Sequence, residues 1–335
     1  MKKITLTNVA IVLIIGMIVF ASLLSVYAYG SENNDKTKMG NAIPSNDIYN
    51  VLILGKDNAA GLCDVIILTS IDLVKGHINI MQIPRDTYFD YGNGDHNKIN
   101  GAPYVLGVSS FANKLADALG INIDFYLALD LQTLKEMVDM ISGVEIDIPK
   151  DMDYDDPSQN LSIHLKAGRN TLNGEEALGF IRYRSGYVTG DIGRLDAQKL
   201  FLNAFFKAVA KQKNPVVYYN LFKLISKRSE NNLKEADLVS MGLKLSGKKN
   251  MGVSYFTAPG EAIQSENSGA WYYVLSSLSM ENVVCERFGA DQNAFDKDNK
   301  FVDKRVKSFY DIYKKHCEYK TYSADDIDNN QININ

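Results

Sequence analysis

Apolar and polar positions change along the chain in short blocks that predict strands and helices in turn. Short runs rich in Val and Ile, bounded by turn residues, indicate buried strands. The strands predicted in this way are 49–55, 64–72, 77–83, 125–130 and 144–149. Apolar residues at helical spacing, followed by Gly or Pro, indicate helices. The predicted helices are 109–120, 131–143 and 195–212.

This alternation predicts an α/β domain in which helices flank a mixed central sheet. We place that domain at residues 48–322. The stretch before it, 31–47, is polar and rich in Asn and Gly, which is typical of a linker. The final stretch, 323–335, is polar as well and predicts a flexible tail.

The N-terminal segment predicts a membrane anchor. Val9–Val26 is uncharged and long enough to cross a hydrocarbon core as a helix. Lys2 and Lys3 precede it and no charge follows before Glu32, which favours a cytoplasmic N-terminus and an extracellular C-terminal domain. A cleavable signal peptide is the alternative, although the apolar stretch is longer than usual for one. We therefore assign 1–30 as cytoplasmic stub and transmembrane anchor of a single-pass cell-membrane protein.

The overall charge limits the classes of ligand. The formal net charge is −4, whereas a general nucleic-acid binder needs a basic surface. We therefore expect no nucleic-acid partner, and any anion site must be a local cluster of Lys and Arg. The three cysteines are widely spaced and predict no disulfide framework.

Arg85 and Asp86 stand side by side where a predicted strand gives way to a loop. Sites in open α/β sheets usually lie at such strand ends. A guanidinium can hold phosphate oxygens bidentately, and Asp86 can orient it or accept a proton. Lys98, further along, is a second donor for an anion. The alternative is a surface ion pair that contributes little.

A second cluster of arginines lies in "GFIRYRSGYVTGDIGR". Arg182 and Arg184 are predicted to alternate along a strand and so to share one face. Arg194 lies at the start of a long helix, where unpaired N–H groups favour an anion. Because arginine suits pyrophosphate, this cluster predicts a polyanion pocket. Ion pairs with Asp191 and Asp196 are the alternative.

Two carboxylates predict a metal site. Asp57 follows one strand and Asp64 opens the next, so both can share a Mg²⁺ ion that also contacts substrate phosphate. Turn formation is the alternative role for both. Together with the arginines, these carboxylates would position a pyrophosphate and neutralise its charge. The membrane anchor then suggests a pyrophosphate that is carried on a lipid.

In chain order, "LGKD", "CDVIILTSID", "IPRDTY", "KING", "GVEIDIPKDMDYDDP" and "GDIGR" resemble the LytR-CpsA-Psr (LCP) family of cell-wall ligases from mainly Gram-positive bacteria. The motif core is 50–213. The resemblance implies an LCP-like fold and a type II membrane protein. It also implies transfer of an anionic glycopolymer, such as teichoic acid or capsule, from a polyprenyl-pyrophosphate carrier to a peptidoglycan sugar hydroxyl with Mg²⁺ or Mn²⁺.

The resemblance also implies roles for single residues. It makes Asp57 and Asp64 the metal ligands and leaves Arg85 and Asp86 as candidate catalytic residues. The residues implied or predicted to bind pyrophosphate are Arg85, Lys98, Arg182, Arg184, Arg194 and Gln198.

Some positions depart from the family pattern. Asn58 stands where the family has Arg, Leu62 and Cys63 replace an Arg-Ser pair, and Ala197 replaces an Arg before Gln198. Each charge-assisted hydrogen bond lost from a phosphate site costs about 1.5–3 kcal/mol. Three functions therefore stay open, namely glycopolymer transfer, binding of a polyprenyl phosphate without catalysis, and hydrolysis of a lipid-linked pyrophosphate.

Overall fold

The computed structural model describes residues 48–57, 60–92, 94, 97–157, 161–187, 190–234, 237, 251–329 and 331–332. The predicted anchor and linker, 1–30 and 31–47, lie outside these residues. Within the described part of the chain, no helix combines the length and the apolar character that crossing a membrane requires.

The main sheet is mixed, as the sequence predicts. Its strands, counted over the described residues, are β1 (Ile48–Asp57), β2 (Leu62–Asp72), β3 (His77–Gln82), β4 (Phe125–Asp130), β9 (Glu230–Asn231), β10 (Gly252–Thr257) and β13 (Thr321–Ser323). Their spatial order is β13-β10-β3-β2-β1-β4-β9. Neighbours β1, β2 and β3 are antiparallel, whereas β4 is parallel to β1 and β10 is parallel to β3.

Among the described residues, three two-stranded antiparallel pairs lie outside the main sheet. They are β5 (Val144–Ile148) with β8 (Gly168–Leu172), β6 (Met152–Asp156) with β7 (Leu161–Leu165), and β11 (Gly260–Gln264) with β12 (Trp271–Leu275). The strand predicted at 144–149 is thus present, but it belongs to a separate pair and not to the main sheet.

Helices cover both faces of the sheet. The helices of the described residues are α1 (Ala102–Leu106), α2 (Val108–Leu119), α3 (Leu131–Met140), α4 (Gly174–Arg182), α5 (Asp191–Ala210), α6 (Pro215–Arg228), α7 (Ser277–Arg287), α8 (Lys307–Tyr313) and α9 (Ala324–Asp328). Alternate strand residues point to opposite faces. In β2, for example, Ile67 joins the core under α3–α6, whereas Leu68 joins the core under α2, α7 and α8.

Local sequence signals account for where several helices begin and end. Asp130 caps α3 by accepting a hydrogen bond from the Thr133 backbone N–H. Helix α2 ends at Gly120, which has a φ of 67° and leaves no space for a Cβ beside Ala294. Strand β4 ends at the capping residue Asp130, and α3 begins at the next residue, Leu131.

The prediction that Arg182 and Arg184 lie on a strand is wrong. Asn173 and Glu176 form a reciprocal capping box that begins α4, and this helix continues to Arg182. Its buried residues include Leu178 and Ile181, which gives the segment a helical apolar face. Arg184 follows the helix, so the two arginines line one cavity from a helix end and the segment after it, and not from a shared strand face.

The flexible tail predicted from residue 323 is also wrong for 323–329. Ser323 and Asp326 form a second capping box, and the short helix α9 follows. Ala324 and Ile327 are buried in the core below α5, and Tyr322 pairs with Tyr255 across β13 and β10. This segment therefore completes the edge of the domain.

Candidate active site

An apolar cavity lies between the sheet and helices α3, α5 and α6. Its volume is about 590 Å³, which is in the range of ligand pockets. Apolar residues that line it include Ile53, Ile67, Leu129, Met137, Phe201 and Phe205. The charged residues that line it are Lys56, Asp57, Asp64, Asp130, Arg182, Arg184 and Arg194. The cavity is therefore suited to a ligand with a hydrocarbon part and a charged part.

The pairing of β1 with β2 brings Asp57 and Asp64 to the same end of the sheet. The two strands are antiparallel, and Asp57 lies opposite Leu62. Asp57 accepts a hydrogen bond from the Ala60 backbone N–H at 3.2 Å. Both predicted metal ligands thus lie at the charged end of the cavity.

The register between β2 and β3 brings Arg85 to Asp64. Asp72 lies opposite His77, and the Ile83 N–H donates to the Ile66 carbonyl at 2.9 Å, which continues the same register. Two further residues along each segment bring Arg85 level with Asp64. Arg85 Nη1 donates a hydrogen bond to Asp64 Oδ1 at 2.8 Å.

Asp64 is the common hydrogen-bond partner of Arg85 and Arg184. Its second oxygen accepts a hydrogen bond from Arg184 Nη2 at 3.4 Å. Burial by itself raises the pKa of this carboxyl, but Arg85 above all, with Arg194 and Arg184, outweighs burial and lowers the pKa below its usual value. Asp64 is therefore ionised at neutral pH, as a metal ligand must be.

Arg194 is buried and held by Asp191. Only 2% of its side chain is exposed, and its Nε and Nη2 donate to the two Asp191 oxygens at 3.0 and 3.1 Å. Asp191 Oδ1 is also 3.8 Å from Arg85 Nε, a buried atom that has no hydrogen-bond partner among the described residues. Arg194 thus forms the predicted ion pair with Asp191 and still belongs to the cluster of arginines. Asp196 pairs with Lys199 instead.

Arg184 is repelled by the other arginines of the cluster. Burial, then the neighbouring Arg194 and Arg85, lower the pKa of Arg184, and the attraction of Asp64 and Asp191 does not compensate. Arg184 remains charged, since a guanidinium keeps its proton in proteins. Such mutual repulsion is relieved when an anion binds between the guanidinium groups.

Arg85, Asp86 and Lys98 lie beside the cavity and are not part of its lining. Lys98 Nζ donates to Asp86 Oδ1 at 2.8 Å, and Asp86 Oδ2 is 3.8 Å from Arg85 Nε. Lys98 Nζ also lies 5.4 Å from the ring centre of Tyr272. A continuous row of charged groups therefore leads from Asp64 outward to Lys98.

Gln198 lines the cavity from α5 and is buried. Its amide donates to the Ile181 carbonyl at 3.3 Å and accepts from Gln82 Nε2 at 3.3 Å. Gln82 could not be identified from the sequence, because an isolated Gln inside a strand carries no signal. For Asp191 a signal exists, since it precedes Arg194 by one helical turn.

The carboxylates present fit a hard divalent cation held jointly with substrate. Mg²⁺ is usually bound by one or two carboxylates together with phosphate oxygens, and Asp57 and Asp64 supply that set. No group of three His, Cys, Asp or Glu side chains suited to a metal occurs in the described segments. These residues thus match a metal site that substrate oxygens complete better than a structural site formed by protein ligands alone.

A cysteine next to the site is not a nucleophile. Burial, opposed by Lys56 but reinforced by Asp64 and Glu230, raises the pKa of Cys63 to about 12. The thiol is therefore neutral, whereas nucleophilic attack needs the thiolate. Cys285 and Cys317 are also free thiols and do not form a disulfide.

The fold and this site agree with a family of known proteins. The model of the "LytR_cpsA_psr family" matches residues 19–287. The chain therefore belongs to the LytR-CpsA-Psr family.

Individual relatives give a closer comparison. The chain is 26% identical over 244 residues to "Polyisoprenyl-teichoic acid--peptidoglycan teichoic acid transferase TagV" of Bacillus subtilis strain 168, covering 70% of this chain and 62% of TagV. It is 31% identical over 216 residues to "Regulatory protein MsrR" of Staphylococcus aureus strain COL, covering 62% of this chain and 64% of MsrR. The chain thus spans less than two thirds of either relative.

The crystal structure of B. subtilis TagV superposes with a TM-score of 0.59 at 25% identity. The match covers 71% of this chain and 94% of that structure. The central mixed sheet flanked by helices is therefore an LCP fold.

Proposed function

We propose that the protein is a glycopolymer transferase that uses a polyprenyl-pyrophosphate-linked glycopolymer as donor and a peptidoglycan sugar hydroxyl as acceptor. The observation that carries this proposal is the arginine cluster at the charged end of an apolar cavity. A glycopolymer linked to a lipid through pyrophosphate has the same two parts, a hydrocarbon chain and a dianionic diphosphate. TagV, a relative with 26% identity, is named as a teichoic acid transferase.

The proposed reaction is a phosphoryl transfer. The acceptor hydroxyl oxygen forms a bond to the glycopolymer-side phosphorus, and the bond from that phosphorus to the bridging oxygen breaks. Polyprenyl phosphate leaves with the bridging oxygen and its electron pair. Arg85, Arg184 and Arg194 neutralise the charge that develops on the phosphate oxygens, which is the main contribution a protein makes to such a reaction.

Asp86 is our candidate for the base that receives the proton of the acceptor hydroxyl. Its carboxylate is partly exposed and lies next to Arg85, outside the lining of the cavity. Lys98 pairs with it at 2.8 Å and holds the carboxylate in position. A base must reach the hydroxyl directly or through one water, and the open side of Asp86 allows this.

Mg²⁺ or Mn²⁺ belongs to the proposal as a cofactor. Asp57 and Asp64 would hold it, and it would add positive charge next to the diphosphate. Membrane attachment through 1–30, with the domain outside the cell, also belongs to the proposal and is supported by the sequence pattern alone.

Binding without catalysis is the second candidate. The absence of the family arginines at Asn58, at Leu62–Cys63 and at Ala197 favours it, because each lost contact weakens stabilisation of a phosphoryl-transfer transition state. MsrR, at 31% identity, is named as a regulatory protein. The retained Asp57 and Asp64 favour transfer, because binding of lipid alone does not need metal ligands.

One assay separates the candidate functions. Full-length protein in detergent micelles is incubated with lipid-linked glycopolymer, Mg²⁺ and peptidoglycan fragments, and release of polyprenyl phosphate is followed. Release that depends on acceptor is the result expected for transfer. Release without acceptor means hydrolysis, and absence of release with retained lipid means binding only. Arg169→Ala is a matched control, because Arg169 is 78% exposed and pairs with Glu145 on a different sheet.

A further inference from the structure

We propose that one side of helix α6 docks on the surface of an anionic lipid bilayer. This side, called the outer face of α6, comprises Val216, Tyr219, Asn220, Lys223, Ser226 and Lys227. The docking depends on the charge and exposure of α6 and not on transfer. Its consequence, that the cavity is held next to a membrane that contains a lipid-linked donor, rests on the proposed transferase function.

Helix α6 packs on the domain with its inner side. Asn214 caps the helix by accepting a hydrogen bond at 3.0 Å from the backbone N–H two residues on, and Pro215 occupies the first helical turn. Tyr218 and Leu221 are buried, and Ile225 lines the cavity. These three residues recur at intervals of three and four, so they share one side of the helix. The inner side of α6 is therefore part of the cavity wall.

The outer face of α6 is exposed and combines apolar with basic residues. Val216 and Tyr219 are 56% and 43% exposed. Lys223 and Lys227 are exposed as well, and they continue the spacing of three to four residues along the same side of the helix. The apolar and basic groups thus form one continuous stripe, and it lies opposite the buried side.

The region around the outer face is basic, although the formal net charge of the chain is −4. From Ala197 to Ser229 the sequence has seven basic residues and no acidic residue. Lys211 and Lys213, just before α6, are exposed too. Arg228 pairs with Glu136, whereas the two lysines of the outer face, with Lys211 and Lys213, have no ion-pair partner in the part of the chain that the structure describes. Their charge is therefore available to an anionic partner.

An anionic bilayer surface is the partner that this combination fits. Lysine ammonium groups attract anionic headgroups, while their aliphatic stems lie along the apolar boundary. Val216 would be covered at that boundary, and Tyr219 would place its ring there and its hydroxyl among the headgroups. A hydrophilic anionic polymer would also attract the lysines, but it would leave Val216 and Tyr219 in water. We therefore assign the outer face to a lipid surface.

The outer face lies directly behind the cavity wall. Ile225 lines the cavity from the inner side of α6, whereas its neighbour Ser226 is exposed. A helix with its side chains is about 10–12 Å wide, so docking would hold the cavity within about one helix diameter of the bilayer surface. A lipid-linked donor would then have a short path from the bilayer to the cavity.

A spin label on the outer face tests the docking in the full-length protein. The label is attached at Ser226→Cys in a Cys285→Ser background, because Cys63 and Cys317 are buried. The protein is reconstituted into vesicles of phosphatidylcholine, with or without phosphatidylglycerol. Collisions of the label with oxygen, which concentrates in lipid, are compared with collisions with a water-soluble nickel complex. We expect the ratio of oxygen to nickel collisions to be severalfold higher in the anionic vesicles, and high salt should reverse the difference.

Neutralising the lysines of the outer face should reduce docking. We expect Lys223→Gln combined with Lys227→Gln to lower the ratio of docked to undocked domain about tenfold or more, given the attraction of each lysine to an anionic surface. Lys304→Gln combined with Lys307→Gln is the matched control. It removes the same charge from exposed positions at α8, on the opposite face of the sheet, and should dock as the wild type does.

A second label position shows whether docking has a direction. Ser110 is exposed on α2, which packs on the face of the sheet opposite α6. A label at Ser110→Cys should stay accessible to the nickel complex in both kinds of vesicle. Thermal unfolding of each variant checks that the fold is retained.

Three results would overturn the proposal. One is equal accessibility of the Ser226→Cys label in neutral and anionic vesicles. Another is docking that Lys223→Gln with Lys227→Gln leaves unchanged in folded protein. The third is protection of the label only when a soluble fragment of the anionic polymer is added, which would assign the outer face to the polymer.

These readouts need no turnover, so they are independent of the proposed transfer. Docking that the lysine variant weakens, in a protein that releases no polyprenyl phosphate, would support the docking surface and contradict transfer. Acceptor-dependent release by a protein whose outer face stays in water would support transfer and contradict the docking surface.

Discussion

Arg85 donates a hydrogen bond to Asp64 over 2.8 Å, which joins a predicted anion-binding residue to a predicted metal ligand. Each neutralises part of the other's charge while substrate is absent. Arg184 and Arg194 add two more guanidinium groups around the same carboxylate. Binding of a diphosphate and a divalent cation would give the carboxylate and the guanidinium groups new partners of opposite charge.

We expect Asp64→Ala to lose turnover and to reduce the free energy of unfolding by about 1–3 kcal/mol, because partly buried guanidinium groups lose their common acceptor. Denaturant unfolding and the release assay measure the two effects. Glu145→Ala is the control, since Glu145 forms an exposed pair with Arg169 and should change stability by less than about 1 kcal/mol. If Asp64→Ala turns over donor as fast as the wild type, Asp64 is not part of the active site.

Inorganic pyrophosphate should raise the thermal transition of the wild-type protein, because a ligand that binds only the folded state stabilises it by mass action. In Arg184→Ala we expect affinity to fall about tenfold or more, as one charge-assisted hydrogen bond contributes about 1.5–3 kcal/mol. Arg169→Ala should respond as the wild type does. Equal shifts in all three proteins would mean that the anion binds elsewhere.

Filling the cavity should affect the lipid and not the diphosphate. Leu129 lines the cavity from β4 and is partly buried, so a larger side chain there can extend into the space. We expect Leu129→Trp to raise KM for a long-chain donor about tenfold while the thermal shift with pyrophosphate is retained. Overpacking costs about 1–3 kcal/mol, so thermal unfolding must be checked. If Leu129→Trp raises KM equally for a donor with a very short prenyl chain, the cavity does not hold the chain.

The stability of the domain should depend on pH through Asp296, away from the site. Burial raises the pKa of this carboxyl to about 6, against hydrogen bonds from Phe301 and Tyr313. Because the pKa is raised on folding, the protonated Asp296 stabilises the fold. This contribution is complete at pH values below the ordinary pKa of 3.8 and is lost as the pH rises through about 6.

We therefore expect the unfolding free energy of the wild type, relative to Asp296→Asn, to fall by on the order of 2 kcal/mol from about pH 4 to pH 7. Urea unfolding at several pH values measures this difference. A difference that stays constant over the range would show that Asp296 titrates at its ordinary value.

The strands and helices that the sequence predicts correctly are those with long periodic patterns and clear ends, such as β1–β3 and α2. The strand predicted around Arg182 is wrong because the apolar run there is short and fits a strand as well as a helix. The capping box of Asn173 and Glu176 is present in the sequence and would have indicated the helix.

The site was partly predictable for a similar reason. Arg85 and Asp64 could be identified from their chemistry and from the family motifs, but their contact depends on the register of β2 and β3. That register follows from the four-residue turn between Asp72 and His77, so the turn length contained the missing information. The contact of Arg85 with Asp191 could not be predicted, because it depends on how α5 packs on the sheet.

The most direct test is a crystal structure of the protein with a non-hydrolysable polyprenyl-pyrophosphate analogue. We predict that the diphosphate lies within hydrogen-bond distance of Arg85 and Arg184 and that the prenyl chain enters the cavity towards Met137 and Phe205. A diphosphate bound away from these arginines, or a prenyl chain outside the cavity, would contradict the account.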